Sequence, residues 1–457
     1  MTLIISFLIY LPKIICGFAI VHFLWNKADF ATLILKVVLG VPIGLAISSC
    51  LFFTSILFGV TPRMYSLVEF WCFFVLALLV CLHVLRKLSI STNLGDLSPK
   101  SYLSFAIIMS SLGLLIYSFL SYSKIHPFGF EDAWSIWNYI ARFIYRTNSP
   151  NIFFNSQFFE VFHPDYPPGL SLNVAWGWLI LNNETTRIPI SVAFYTLVSP
   201  AFILWGAIKI WKGPINATLA STVYLTSANL IWSVGQLADT LISLYILSAV
   251  VMFYFHLRSS NYKILIIAGL LTGFSAWIKN EGILFIVTML VIYSLMALKQ
   301  TTHWKNIKWL SIGIFLPSIL LVIYKLTIDV PSDLFKDNNS FIAQILDIQR
   351  WWTIGIKFLF YILRYANWPV SAILVLLIYI FLVGIDRSEY KRGTWLFLII
   401  AGQFAGYFGI YLVTPHELDW HIYTSMERLI SHIFPALIFW VFTITPSQYP
   451  ISKKIGR

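Results

Sequence analysis

Apolar stretches of about 17–25 residues, the length that crosses a bilayer as a helix, recur along the whole chain and are separated by short polar segments. The pattern predicts spans near residues 4–24, 30–59, 65–85, 102–120, 187–211, 216–233, 238–257, 262–278, 282–299, 309–328, 369–385, 394–413 and 430–446. Continuous apolar runs of this kind mean helices and not a barrel. The segment 170–181 is too short to cross and is expected to lie at the membrane interface. The fold expected is an all-α polytopic membrane protein with about 11–14 transmembrane helices.

The polar segments divide by charge. Lysine and arginine collect at 86–100, 209–212, 258–263, 299–308, 387–392 and 453–457, which the positive-inside rule assigns to the cytoplasm. Threading the spans through these loops brings 121–186, 234–238, 279–281, 329–368 and 414–429 to the outer face. The acid-rich motifs all fall there. Three regions follow: N-terminal helices over 1–100, readable as an accessory bundle; a membrane module over 101–300 with outer loop 121–186; and C-terminal helices over 301–457 with outer loops 329–368 and 414–429.

Composition adds little to this except exclusions. The chain is 59% hydrophobic and 11% charged, against roughly 25% charged in soluble domains. Its net charge of +12 is explained by the basic loops, so no nucleic-acid partner is expected. Cys16, Cys50, Cys72 and Cys81 lie in apolar helices without metal-ligand spacing, as small hydrophobes do. Lys13, Lys36 and Lys325, in or near apolar runs, are expected to snorkel to the interface.

Five polar motifs interrupt the apolar pattern. Glu131–Asp132 precedes a helical pattern, where Asp132 suits either an N-cap or a base removing a proton from an acceptor hydroxyl. HPDYPPG, residues 163–169, is a rigid turn. It either connects two interfacial helices or displays His163, Asp165 and Tyr166 toward a sugar or acceptor. Gln236 and Asp239 open an apolar helix and are candidates to meet a sugar or acceptor, with Asp239 as a cap or as a second carboxylate orienting an acceptor or a bound cation. Lys279–Asn280–Glu281–Gly282 sets charges between two apolar runs at a cost of about 2.5–3.5 kcal/mol each. Lys279 either pairs with Glu281 in a tight turn or meets an anionic phosphate. Finally His421, Ser425, Arg428 and His432 share one helix face, as a solvated rim or as a cationic grip on phosphate.

Taken together and in this order, these motifs resemble the GT-C membrane glycosyltransferases, the superfamily of protein O-mannosyltransferases and the lipid A aminoarabinose transferase. The likeness rests on Glu131–Asp132, on His163–Pro168 leading through 170–181 to Arg187, on Asp239, and on Lys279–Gly282. It covers residues 102–300 most closely, making 101–300 a GT-C-like catalytic module. The extra N-terminal spans depart from the simplest members. Trp351–Trp352 is similar to the WWD motif of oligosaccharyltransferases, but Thr353 follows, so transfer of an oligosaccharide to asparagine is not carried over.

The resemblance implies an inverting transfer from a polyprenyl-phosphate sugar donor to a glycan, lipid or protein acceptor, on the outer (periplasmic) face of a bacterial inner membrane. It implies Asp132 as the general base, with Glu131 beside it as a second catalytic carboxylate, and Lys279, His421 and Arg428 as donor-phosphate ligands. No cofactor is required on this reading, although two carboxylates with His163 could hold a divalent cation. The rival readings are a glycan polymerase or ligase using a lipid-pyrophosphate donor, and a flippase of lipid-linked sugars. The flippase fits less well, because transporters set polar groups at the midplane of repeated halves and no repeat is visible.

Overall fold

A computed structural model of the protein describes residues 3–27, 29–87, 99–149, 151, 163, 165–227, 229–328, 341–366 and 370–447. Helices form throughout and no strand occurs among these residues. The first half contains α1 (Leu3–Leu8), α2 (Leu11–Leu24), α3 (Phe30–Leu57), α4 (Pro62–Lys87), α5 (Pro99–Ile125), α6 (Asn138–Thr147), α7 (Gly169–Leu181), α8 (Arg187–Lys212), α9 (Pro214–Leu225) and α10 (Asn229–Val234). The second half contains α11 (Ala238–Ser259), α12 (Tyr262–Ile278), α13 (Glu281–Lys299), α14 (Thr301–Ile328), α15 (Phe341–Leu346), α16 (Ile348–Arg364), α17 (Ala372–Val383), α18 (Tyr390–Val413) and α19 (Leu418–Ile444).

Ten helices among the described residues, with Leu3–Leu24 taken as one, are long and apolar enough to cross a membrane; α7, α12 and α17 are shorter apolar helices. The protein is therefore an all-α polytopic membrane protein. The run at 216–233 is broken between α9 and α10. There the hydroxyls of Thr226 and Ser227 donate to the carbonyls of Thr222 and Tyr224, both at 2.7 Å, and side chains that compete for backbone groups in this way end helices.

The core is built around α11, which is buried along nearly its whole length. It packs against α12 and α19, and also against α8. The N-terminal helices join the same core. Tyr245 on α11 donates to Pro42 O on α3 at 2.7 Å, and Trp277 on α12 donates to Ser49 Oγ at 3.0 Å. Helix α7 is buried through most of its length, with Asn173 Nδ2 donating to Leu45 O at 3.1 Å. In a dry interior each such hydrogen bond satisfies a group that would otherwise be costly.

Three sequence expectations need correction. Lys13, Lys36 and Lys325 do not snorkel. Lys13 is wholly buried, with its ammonium 3.3 Å from the Trp176 ring centroid. Lys36 donates to Lys27 O at 2.5 Å, and Lys325 donates to Asn280 Oδ1 at 2.9 Å and to Asp165 O. Protein partners at hand replace the water that snorkelling would seek. The cysteines also differ among themselves: Cys50 is buried, whereas Cys72 and Cys81 on α4 are exposed.

At one end of the bundle, ion pairs tie the basic loops together: Lys212 with Asp386 at 3.0 Å, and Arg258 and Arg392 with Glu389. On the segment that follows Asp132, Arg142 and Arg146 of α6 each donate to Glu184 at 2.8 Å, clamping α6 to the α7–α8 turn. Burial pushes the Glu184 carboxyl up, but the hydrogen bonds and charges of Arg146 and Arg142 outweigh it and hold it below the usual carboxylate range. A depressed carboxylate stabilises the fold above its unfolded pKa and loses that contribution as pH falls through the folded value. Glu184→Gln is therefore expected to lower the melting temperature at neutral pH by an amount worth no more than about 1 kcal/mol. That difference should vanish in acid, which melting curves from pH 7 down to pH 3 would check.

Candidate active site

The loop between α5 and α6 is held against the entrance of α11. Phe130 N donates to Gly235 O at 3.0 Å. Gln236, in the left-handed region at φ 55°, donates through Nε2 to Pro127 O at 3.1 Å and accepts at Oε1 from Asn138 Nδ2 at 3.0 Å. Both ends of its amide are thus used in joining the two segments, so Gln236 serves as a strut between them. Gly129, at φ +77°, lies so close that a Cβ there would stand 2.5 Å from Gly235 O. Gln236→Ala would strand Pro127 O and Asn138 Nδ2, and buried groups left so cost about 1–3 kcal/mol. The expected outcome is a lower melting temperature with a parallel loss of activity, measured by thermal unfolding and turnover of the same preparation.

This docking carries Asp132 to the mouth of the core. Ala133–Trp137 forms a wide π-type turn, and the Asp132 side chain caps nothing. Its carboxylate instead sits 2.7 Å from Arg428 Nη2 on α19. The same Nη2 donates to Asp239 Oδ2 at 2.9 Å, so a single nitrogen bridges two carboxylates. π-type turns of this kind gather at functional sites.

Asp239 is the hub. It lies in the first turn of α11 after the capping position, Leu237, and is fully buried. Its Oδ1 accepts from Lys279 Nζ at 3.0 Å and stands 2.8 Å from His432 Nε2. His432 Nδ1 lies 3.0 Å from the Tyr407 hydroxyl. Both contacts are satisfied at once if Nε2–H donates to Asp239 and the tyrosine O–H donates to Nδ1.

Lys279 follows the last turn of α12 and reaches Glu281 Oε1 at 2.8 Å as well as Asp239. The turn it occupies demands the glycine after it: a Cβ on Gly282 would stand 2.2 Å from the Ser275 carbonyl carbon. Burial pushes the Lys279 ammonium down, but the charges of Asp239 and Glu281 outweigh it and raise it above the usual lysine range.

The His-Pro turn supplies the next layer. Asp165 is buried and accepts from Asn280 Nδ2 at 2.8 Å. The Tyr166 ring packs 5.3 Å from Trp137 and has Lys279 Nζ 5.9 Å from its centroid. His163 is exposed, in the left-handed region at φ 53°, with its ring 5.8 Å from Tyr166. Pro164 lies outside the described residues.

Asp132, Asp239, Lys279 and Arg428 thus meet in one network, with Tyr166 and Asp165 beside it. Glu131 is exposed and makes no ion pair among the described residues. His421 is set apart: its Nδ1 is 2.8 Å from Thr414 Oγ1, and its ring packs 5.0 Å from Tyr411. The helix face that carries the four polar residues of α19 therefore splits. His421 and Ser425 bond toward Thr414 and Tyr411, the latter 2.7 Å from Ser425, while Arg428 and His432 converge on Asp239.

One participant, Tyr407, was not singled out by the sequence. His432 was legible, since it stands one helical turn beyond Arg428 on the same face. Tyr407 lies within an apolar helix and gives no signal. Among the described residues no group of three or more His, Cys, Asp or Glu is placed to hold a metal ion.

No family profile matches the chain, and no solved structure matches it. A stretch of 82 residues, 18% of the chain, is 38% identical to the undecaprenyl phosphate-alpha-4-amino-4-deoxy-L-arabinose arabinosyl transferase of Yersinia enterocolitica. The matched stretch spans 15% of that enzyme. In sequence, this protein is therefore similar over a short stretch to a bacterial transferase of a lipid-linked sugar.

Proposed function

We propose that the protein is a GT-C-type membrane glycosyltransferase that moves a sugar from a polyprenyl-phosphate donor to a hydroxyl of a glycan, lipid or protein on the outer face of the membrane. The observation that carries this reading is the network itself. A part-exposed carboxylate, Asp132, stands beside one cation, Arg428, and the buried Asp239 holds that cation together with a second, Lys279. The stretch shared with an undecaprenyl-phosphate aminoarabinose transferase supports the donor class.

The chemistry follows from these groups. Asp132 takes the proton of the acceptor hydroxyl as its oxygen bonds to the anomeric carbon, on the face opposite the phosphate. The bond from that carbon to the phosphate oxygen breaks, its electron pair stays on the phosphate, and the anomeric configuration inverts. The leaving polyprenyl phosphate gains one negative charge as it departs. Fixed cations beside such a developing charge lower the barrier because they need no reorganisation at that moment. Lys279 and Arg428 fill this role, and they suffice without a divalent cation. Tyr166, whose phenol burial pushes up and so keeps protonated, and His163 form the sugar and acceptor side. His421 belongs to the rim above them.

Reconstituted protein given a polyprenyl-phosphate pentose and a lipid or glycan acceptor is expected to release polyprenyl phosphate and form an inverted glycoside. Lipid that crosses the bilayer with its sugar still attached would instead make the protein a flippase.

A further inference from the structure

The network holds more than a donor site needs. Among the described residues, three carboxylates, those of Asp132, Asp239 and Glu281, face two cations that are already engaged. Lys279 is shared between Asp239 and Glu281, and Arg428 between Asp239 and Asp132. A phosphate arriving here meets no idle charge. It must take a cation from a carboxylate.

The four pairs are not equal. Asp239 is fully buried, and its side chain cannot turn to water in place of its cations. Glu281 keeps 14% and Lys279 5% of the side-chain surface exposed. Asp132 keeps 32%, the largest share in the network. Losing an ion-pair partner costs least where water can replace it. The contact that yields is therefore Arg428–Asp132. Arg428 can also offer more than it now uses, because its Nε is buried with no acceptor among the described residues. A guanidinium that pivots on Asp239 could present Nε and the Nη2 edge to phosphate oxygens in a two-point grip.

We infer that Arg428 couples donor binding to release of the base. While Arg428 pairs with Asp132 it holds that carboxylate away from an acceptor hydroxyl. A donor phosphate draws Arg428 off, and Asp132 is then free to accept the proton. The coupling gives the order of events a physical cause: donor first, acceptor second. It also protects the site from premature chemistry, since the base is masked whenever no donor is bound. This inference rests on the proposed donor class.

A binding measurement separates the two claims. Polyprenyl phosphate is titrated against the full-length protein in nanodiscs of neutral lipid, with wild type, Asp132→Asn, Asp132→Ala and Arg428→Ala compared. Asp419→Asn, which removes an exposed carboxylate from the same helix, serves as the charge control. Because Asp132 competes with phosphate for Arg428, both Asp132 variants are expected to bind polyprenyl phosphate more tightly than wild type. An Arg428 free of Asp132 only about one tenth of the time would give a gain of about tenfold. Arg428→Ala is expected to bind more weakly, and Asp419→Asn to match wild type. Asp132 variants that bind as wild type does, or more weakly, would overturn the coupling and leave the donor class intact. A gain of the same size in Asp419→Asn would also overturn it, as an effect of general charge. Failure of wild type and every variant to bind would overturn the donor class itself.

Discussion

Asp132→Asn is expected to lower glycosyl transfer by about 10²–10⁴-fold, the usual contribution of a positioned general base, while the protein stays folded. The two halves of this expectation have separate causes. The amide cannot take a proton from an attacking hydroxyl, so the chemical step slows. The fold survives because Asp132 caps no helix and its carboxylate is part-exposed. Arg428 keeps Asp239 as its partner at 2.9 Å when Asp132 is neutralised, so no buried charge is orphaned. Turnover in proteoliposomes with a melting curve on the same sample measures both. Glu131→Gln is the companion variant. Glu131 is exposed and pairs with nothing among the described residues, so it is expected to retain most of the activity. Reversal of the two results, with Glu131→Gln inactive and Asp132→Asn active, would transfer the base to Glu131.

Asp239→Ala is expected to be the more destructive substitution and to act on stability first. It removes the partner of both Lys279 and Arg428 and the acceptor of His432. Breaking a buried pair by deleting one side costs about 3–5 kcal/mol, because the remaining charge is left uncompensated. Here Glu281 and Asp132 still hold one cation each, which sets the loss toward the lower end of that range. The sharper test is a pair of changes. Asp239→Asn with Lys279→Met removes one charge of each sign from the interior. It is expected to recover much of the melting temperature lost in Asp239→Asn alone and none of the donor affinity. A cycle of the two single variants and the double variant isolates the coupling between the residues. No recovery in the double variant would mean that Asp239 acts through His432 and Arg428 rather than through Lys279.

The sequence made the helices legible because hydrophobic length is a direct signal. It also drew attention to Asp132, Asp239, Lys279 and Arg428, because ionisable groups between apolar runs are expensive and need a reason. It could not decide between a cap and a hub for Asp239. Both readings place an aspartate at the start of a helix, and the deciding fact is that Leu237 occupies the cap position while Asp239 turns inward to partners on α12 and α19. Those partners are 40 and 193 residues away, and no local pattern encodes such contacts. Lys325 illustrates the converse: a lone lysine near an apolar end reads as a snorkelling side chain until the carbonyl of Asp165 and the amide of Asn280 are seen beside it. Gln236 was noticed for its polarity and expected in the sugar site, but no local pattern encodes the two amide contacts by which it joins the Asp132 loop to the start of α11.

The central claim is that the donor phosphate is held between Lys279 and Arg428, with Asp132 facing the sugar. A structure of the protein in nanodiscs with a non-transferable polyprenyl-phosphate sugar analogue tests it most directly. Phosphate density within hydrogen-bond distance of both cations, with the lipid chain leaving between helices and the Asp132 carboxylate turned to the anomeric carbon, is the predicted result. Lipid lying along the middle of the bundle, with Arg428 still bridging Asp132 and Asp239, would contradict it.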